Sequence, residues 1–154
     1  FRQALVATGG ESPETFLERE LPAWRAVRYI REEVPAGETI ALLNAWPRYW
    51  IDHPTVLGSV EDHVPTRHWV VTHGDAALRD LAALGAKWLL VGDVKYLRKT
   101  WSFLDTASWQ AQLRDPQERL ETLLLRDATR VFAANHHAVW RVDTPRLDAP
   151  AAVP

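Results

Sequence analysis

Residues 81–91 read LAALGAKWLLV and place a helix end, a single glycine and an apolar strand in direct succession. From Asp75 to Leu84, alanines and leucines recur at helical spacing. Gly85 stands where a helix commonly ends in a left-handed residue. Residues 87–91 then form a short apolar run, which is typical of a strand buried on both faces. A helix leading directly into such a strand is half of a βαβ unit, so this stretch predicts a parallel sheet.

Local patterns extend this prediction in both directions. Apolar runs bounded by turn residues predict the other strands at residues 39–43, 55–57, 129–134 and 138–142. Cap residues followed by proline predict helices that begin after Ser12 and at Asp115. Pro22 lies inside the first of these, so we expect a kink there or a helix proper that starts near Leu21. We interpret residues 58–73 mostly as loop, with an extended alternative at residues 68–72.

Together these elements predict an α/β fold. We expect a three-layer sandwich with a mainly parallel sheet of about five strands and an antiparallel hairpin at its edge near the C-terminus. Residues 1–12 are interpreted as a lead-in, residues 13–142 as a single α/β domain, and residues 143–154 as a disordered tail.

Composition excludes several classes of function. A net charge of −2 without any basic run argues against nucleic-acid binding. The absence of cysteine removes disulfides, thiolate nucleophiles and cysteine-ligated zinc. No apolar stretch approaches the ~20 residues that cross a bilayer. The sequence therefore predicts a globular domain that does not itself span a membrane.

The common catalytic and cofactor motifs are missing from the sequence. It contains neither a glycine-rich dinucleotide or phosphate loop nor the G-x-S-x-G elbow of hydrolases. His63, His68 and His73 recur every five residues, a step that separates side chains by about 140° around a helix rather than gathering them on one face. We therefore predict no catalytic residue, no metal site and no cofactor.

Candidate binding residues follow the predicted strands, because ligands of open parallel sheets bind beyond the carboxyl ends of the strands. Two of them are tryptophans among the eight in the chain, which either fill space between layers or form a surface that faces sugar or lipid. The acids also have a plain alternative as solvated or helix-capping side chains. The predicted binding residues are Asn44, Trp46, Trp50, Asp52, Asp93 and Lys95.

Four segments carry a resemblance to a known family. They are AVRYIREEVPAGETIALL at residues 26–43, RYWIDHP at 48–54, LAALGAKWLLV at 81–91 and RVFAANHHAVWRV at 130–142. In this order they resemble the soluble C-terminal domain of polytopic bacterial glycosyltransferases, the family of dolichyl-phosphate-mannose–protein mannosyltransferase and aminoarabinose transferase. The catalytic acids of that family lie in loops between membrane helices, so the resemblance carries no catalytic residue over to this chain.

The resemblance implies a function for the domain. It would be the non-catalytic, extracytoplasmic part of an integral membrane protein, on the periplasmic side of the cell membrane, where it covers the active site or assists acceptor binding. Its partners would be the transmembrane portion of the parent chain and a lipid-linked sugar or acceptor, the parent being a glycosyltransferase that uses lipid-linked sugars. The chain begins at Phe1 and contains no methionine, which agrees with an expectation that it is one piece of a longer protein.

Two alternatives stay open on the sequence alone. The first is a free-standing small-molecule-binding or enzyme domain, with a crevice beyond Leu43 and Val91 at the carboxyl ends of two strands. The second is a protein-interaction module that uses exposed tryptophans.

Overall fold

The computed structural model of the chain describes residues 9–45, 47–57, 63–92 and 114–143. In these ranges the helices are α1 (Pro13–Glu20), α2 (Trp24–Glu33), α3 (His63–His73), α4 (Ala77–Ala83) and α5 (Asp115–Asp127). The strands are β1 (Ile40–Leu43), β2 (Thr55–Val56), β3 (Trp88–Gly92), β4 (Ala128–Ala134) and β5 (His137–Val142). Short 3-10 turns occupy Pro47–Trp50 and Gly74–Ala76.

The strands form one mixed sheet in the order β2-β1-β3-β5-β4. β1 runs parallel to β2 and to β3, with Leu43 opposite Val91. β5 is antiparallel to β3 and to β4. The predicted α/β class and the parallel pairing of β3 are confirmed. The mainly parallel character is not, because β5 inserts between β3 and β4 and makes two of the four neighbour pairs antiparallel.

The C-terminal hairpin is confirmed, with β4 at the edge of the sheet. Its two turn residues, Asn135 and His136, have φ values of 47° and 65°. Positive φ at both positions is the requirement of a type I′ turn, whose twist matches that of the flanking strands.

The first predicted helix is divided into two. Ser12 caps α1 by accepting a hydrogen bond from the backbone N–H of Thr15 at 3.1 Å, and Pro13 occupies the first helical position. The helix ends at Glu20, and the chain resumes helical structure only at Trp24. Pro22 explains the break, since its ring and its missing N–H disrupt a helix interior.

The expectation of a loop or an extended segment before Gly74 is wrong for residues 63–73, which form α3. Pro65 is compatible with this helix because it lies in the first turn, where backbone N–H groups have no intrahelical partner. Thr66 and Val70, one turn apart, are both buried. The helix therefore presents a core-facing side that its polar composition concealed.

Alternate residues of the central strands enter two separate core clusters. The first cluster joins Leu43 and Leu89 to side chains of α3, α4 and α5. The second joins Leu42 and Leu90 to side chains of α2 and to Val139 of β5. Each leucine withdrawn from water contributes roughly 1.5–3 kcal/mol, so these two clusters supply much of the driving force for folding.

Several predictions fall outside the described residues. They concern most of the lead-in (residues 1–8), the loop at 58–62, residues 93–113, the tail from residue 144 onward, and the candidate binding residues Trp46, Asp93 and Lys95.

Candidate functional site

A pocket of about 520 Å³ opens at the carboxyl end of β3, between α5 and the β4–β5 hairpin. We call it the hairpin pocket. Its lining has an apolar part, which includes Val91, Leu124 and Trp140, and a polar part, which includes Gln117, Glu121 and His137. A mixed lining of this kind can bury an apolar group while fixing a polar one.

The pocket lies near the carboxyl ends of two neighbouring parallel strands, β1 and β3. After β1 the chain turns toward the second cluster, which contains Ala45 and Ile51. The described element that follows β3 is α5, and its Leu120 and Leu124 belong to the first cluster. The described elements that come after β1 and β3 thus join different core clusters, and ligands of open sheets bind beyond the carboxyl ends of the strands. The hairpin pocket lies at the β3 side of this edge.

Gly92 forms the floor of the pocket by a close backbone approach. A Cβ atom at this residue would overlap the carbonyl oxygen of Asn44 and lie 3.5 Å from Nε2 of His137. A side chain is therefore excluded at Gly92 for steric reasons. Glycine allows the ends of β1 and β3 to meet beneath the pocket.

A relay of hydrogen bonds runs from the buried core to the pocket. Asn44 is only 7% exposed and adopts a left-handed φ of 53°. Its backbone N–H donates to Oγ1 of Thr66 at 2.8 Å, and its side-chain Nδ2 donates to Oε1 of Gln117 at 2.8 Å. Nε2 of Gln117 in turn donates to Oε1 of Glu121 at 2.9 Å.

The carboxylate of Glu121, at the end of the relay, determines which way the side-chain amide of Gln117 is turned. An ionised Glu121 can only accept, so Gln117 must turn its amide nitrogen toward it. Oε1 of Gln117 then faces inward, where the donor of Asn44 satisfies it. The side chain of Gln117 is thereby held in one orientation before any ligand binds.

The hairpin supplies the opposite wall. Nδ1 of His137 lies 3.1 Å from the carbonyl oxygen of Asn135, and a carbonyl can only accept. In neutral His137 the proton is therefore on Nδ1, and Nε2 is an acceptor near Gly92. At the outer edge, the guanidinium of Arg130 lies 5.8 Å from the ring centroid of Trp140, within the range of a cation–π contact.

A second cavity, of about 540 Å³, lies between α1, α2 and residues 52–53. We call it the helix hollow. Two ion pairs cross it: Arg28 donates to Glu14 at 3.2 Å, and the guanidinium of Arg31 lies 3.1 Å from the carboxylate of Asp52. The hydrogen bond from Arg28 to Glu14 raises the pKa of the Arg28 guanidinium, which keeps it charged.

The structure separates the predicted binding residues. Asn44 stands behind the hairpin pocket and positions Gln117. Asp52 lines the helix hollow with its side chain 72% exposed, and Trp50 packs against the second core cluster. Asn44 therefore lies at the hairpin pocket and Asp52 at the helix hollow, because the chain after β1 turns to the α2 side of the sheet.

Sequence reasoning missed Gln117, Glu121 and His137. The position of His137 could have been predicted. When the second strand of the hairpin pairs antiparallel with β3, His137, the first residue of that strand, lies opposite Gly92. The role of Gln117 could not have been predicted, because no residue near the start of α5 indicates that the Gln117 side chain contacts the end of β1.

Two of the three histidines recurring at five-residue steps, His68 and His73, have described side chains, and these have different surroundings. His68 is exposed on α3, whereas His73 bonds Oδ2 of Asp80 at 2.6 Å and stacks on Trp69. Over the described part of the chain, no three His, Asp or Glu side chains come close enough together to hold a metal ion.

Comparison of the chain with protein-family profiles, with curated proteins and with solved structures finds no match. Among the helices of the described ranges, none combines the length and the apolar character that crossing a membrane requires.

Proposed function

We propose that the hairpin pocket binds an amphiphilic small molecule. The observation that carries this proposal is the orientation of Gln117 by Asn44 and Glu121, immediately beside the apolar wall of Leu124 and Trp140. Side chains that are ordered before binding lose less conformational entropy when the ligand arrives. The polar half of the pocket is therefore prepared to hold a head group, and the apolar half to hold a chain or ring.

The head group should carry hydrogen-bond donors and no negative charge. The ionised carboxylate of Glu121 lines the pocket and can only accept hydrogen bonds. Hydroxyl groups satisfy such acceptors, whereas a carboxylate head would meet the carboxylate of Glu121. Arg130 also lines the pocket, so the formal charges of Arg130 and Glu121 offset each other there and the pocket has no strong preference for a cation.

We further propose that the chain is the non-catalytic, extracytoplasmic domain of a membrane glycosyltransferase-like protein, and that the amphiphile is a lipid-linked sugar or an acceptor. The support is the resemblance of the four sequence segments, which fall on α2 with β1, on the first 3-10 turn, on α4 with β3 and on the hairpin. A three-layer sandwich would suit such a domain. The two core clusters, one with α2 and one with α3, α4 and α5, favour that arrangement.

A free-standing ligand-binding domain would use the same pocket without the membrane parent. The gene sequence upstream of Phe1 distinguishes the two. Several apolar stretches of ~20 residues would support the membrane parent, and their absence would contradict it while leaving the pocket proposal standing.

Binding at the pocket can be measured with octyl β-glucoside, used below its micelle concentration. We expect it to shift the indole N–H signal of Trp140 in ¹⁵N NMR spectra, with the signal assigned from Trp140→Phe. Glucose supplies the head without the chain, and octanoate supplies the chain with an anionic head. Both should bind this pocket more weakly.

Gln117→Leu should weaken octyl glucoside binding about fivefold, which corresponds to about 1 kcal/mol for one lost hydrogen bond. Glu118→Gln is the matched control, because Glu118 lies on the same helix and pairs with Arg114 rather than lining the pocket. Equal affinity in both variants, or equal binding of octanoate, would contradict the proposal.

A further inference from the structure

Two residues that line the helix hollow each carry a buried polar atom without a hydrogen bond. Trp24 is 6% exposed and lines the hollow, as does His53. Within the described residues, neither Nε1 of Trp24 nor Nδ1 of His53 has a hydrogen-bond partner. Buried polar groups in folded proteins are almost always satisfied, so two such atoms at one cavity indicate that something else bonds them.

The chemical character of the two atoms is different. The indole nitrogen of Trp24 can only donate. Nε2 of His53 lies 3.4 Å from the carbonyl oxygen of Val34, which can only accept, so in the neutral ring that nitrogen carries the proton. Nδ1 of His53 is then an acceptor. The hollow therefore offers one donor and one acceptor.

A hydroxyl group suits such a pair, because it accepts and donates at once, as a water molecule does. An ionised carboxylate has no proton to give to His53, and an ammonium has no lone pair for Trp24. The charges that line the hollow are largely compensated among themselves and give no reason to expect an anion. Two arginines and three carboxylates line it, and each arginine forms an ion pair with one of those carboxylates.

Helix α1 gives access to these atoms. It has no fully buried residue, and its Leu17 is partly buried against the second core cluster. Ion pairs also join α1 to α2, namely Glu14 with Arg28 and the half-buried Glu18 with Arg25. Such pairs contribute little to stability, so a small outward shift of α1 that keeps Leu17 in contact requires little free energy. The volume of the hollow is within the ~300–1,000 Å³ typical of small-molecule sites.

We propose that the helix hollow is a second binding site, for a neutral polyhydroxylated molecule such as a sugar, one of whose hydroxyl groups accepts from Nε1 of Trp24 and donates to Nδ1 of His53. Ion-paired arginines and carboxylates around the rim provide further partners for its other hydroxyls. The inference is independent of the function proposed for the hairpin pocket.

Three sugars with the same ring and different charge test the proposal: glucose, glucuronate and glucosamine. The measurement is the indole N–H signal of Trp24 in ¹⁵N NMR spectra, assigned from Trp24→Phe. We expect millimolar glucose to shift this signal and to leave that of Trp140 in place. Glucuronate should bind at least fivefold more weakly than glucose, and glucosamine no more tightly than glucose. Comparable binding of glucuronate, tighter binding of glucosamine, or an unmoved Trp24 signal would overturn the proposal.

Two variants test the donor and the acceptor separately, with affinity followed by calorimetry. Trp24→Phe keeps an aromatic ring but removes the donor, and His53→Phe removes the acceptor at a partly exposed position where folding is less at risk. Each should weaken glucose binding about fivefold or more. Trp69→Phe is the control, because its indole donates to the carbonyl of Ala77 at 3.0 Å, away from the hollow. Unchanged affinity in His53→Phe would refute the assignment even if Trp24→Phe fails to fold.

Discussion

The hairpin pocket and the helix hollow have similar volumes but are built in opposite ways. The pocket stands on the ends of two central strands, and its polar side chains bond one another from Asn44 outward to Glu121. The hollow lies under a helix with no fully buried residue, and two polar atoms of its lining residues have no bond among the described residues. Changes at the pocket should therefore affect folding, whereas changes at the hollow should affect mainly binding.

The largest effect is expected from Gly92→Ala. The new methyl group would overlap the carbonyl oxygen of Asn44. Gly92 is the last residue of β3 and Asn44 directly follows β1, and these two paired strands cannot easily separate. Overpacking commonly costs 1–3 kcal/mol, and a clash with backbone should reach about 3 kcal/mol or more of the free energy of unfolding. Urea unfolding followed by circular dichroism measures this loss.

Gly37→Ala separates the clash from the backbone preference of glycine. Gly37 has a φ of 86°, and a Cβ there would meet no atom within 4 Å. Its substitution should cost about 1 kcal/mol, from the left-handed conformation alone. If Gly92→Ala is no more destabilising than this control, the close approach of β1 and β3 does not constrain the pocket floor.

A smaller effect is expected at Asn44, where two contributions can be separated. Asn44→Gly removes the amide that bonds Gln117 but tolerates the left-handed φ, and should cost about 1–2 kcal/mol. Asn44→Ala adds the conformational penalty and should cost about 1 kcal/mol more. Urea unfolding of both variants gives the difference. A glycine variant as stable as the unsubstituted protein would mean that the relay contributes nothing to folding.

Local signals in the sequence predicted most of the elements correctly. The glycine after α4, the apolar run of β3 and the hairpin were all recognisable within a few residues. The order of the sheet was not, because the insertion of β5 between β3 and β4 is a pairing between distant segments. The helix at residues 63–73 was missed because the segment is polar and contains Pro65, which suggested a loop, although the first turn of a helix tolerates proline.

The site was predicted less completely than the fold, for a related reason. Asn44 was correctly placed at the carboxyl end of a strand, but its partner Gln117 lies 73 residues further along the chain. Asp52 was expected at the same edge, yet the segment that contains it turns toward α2 and pairs with Arg31. Proximity in sequence to a strand end does not determine which face a connecting segment will occupy.

The smallest effect is expected from Asp52→Asn, at the edge of the helix hollow. This change removes the exposed carboxylate that bonds Arg31, and exposed pairs are worth about 0.2–1 kcal/mol. The loss should disappear in 1 M salt, where the Debye length falls to about 3 Å.

The control is Glu33→Gln on the last turn of α2, an exposed carboxylate without an ion pair inside the described ranges. Removing a negative charge near the C-terminal end of a helix should stabilise it by a few tenths of a kcal/mol. If Asp52→Asn lowers the free energy of unfolding by more than about 2 kcal/mol, or if the loss persists in 1 M salt, the residues of the hollow contribute to folding as much as those of the hairpin pocket do.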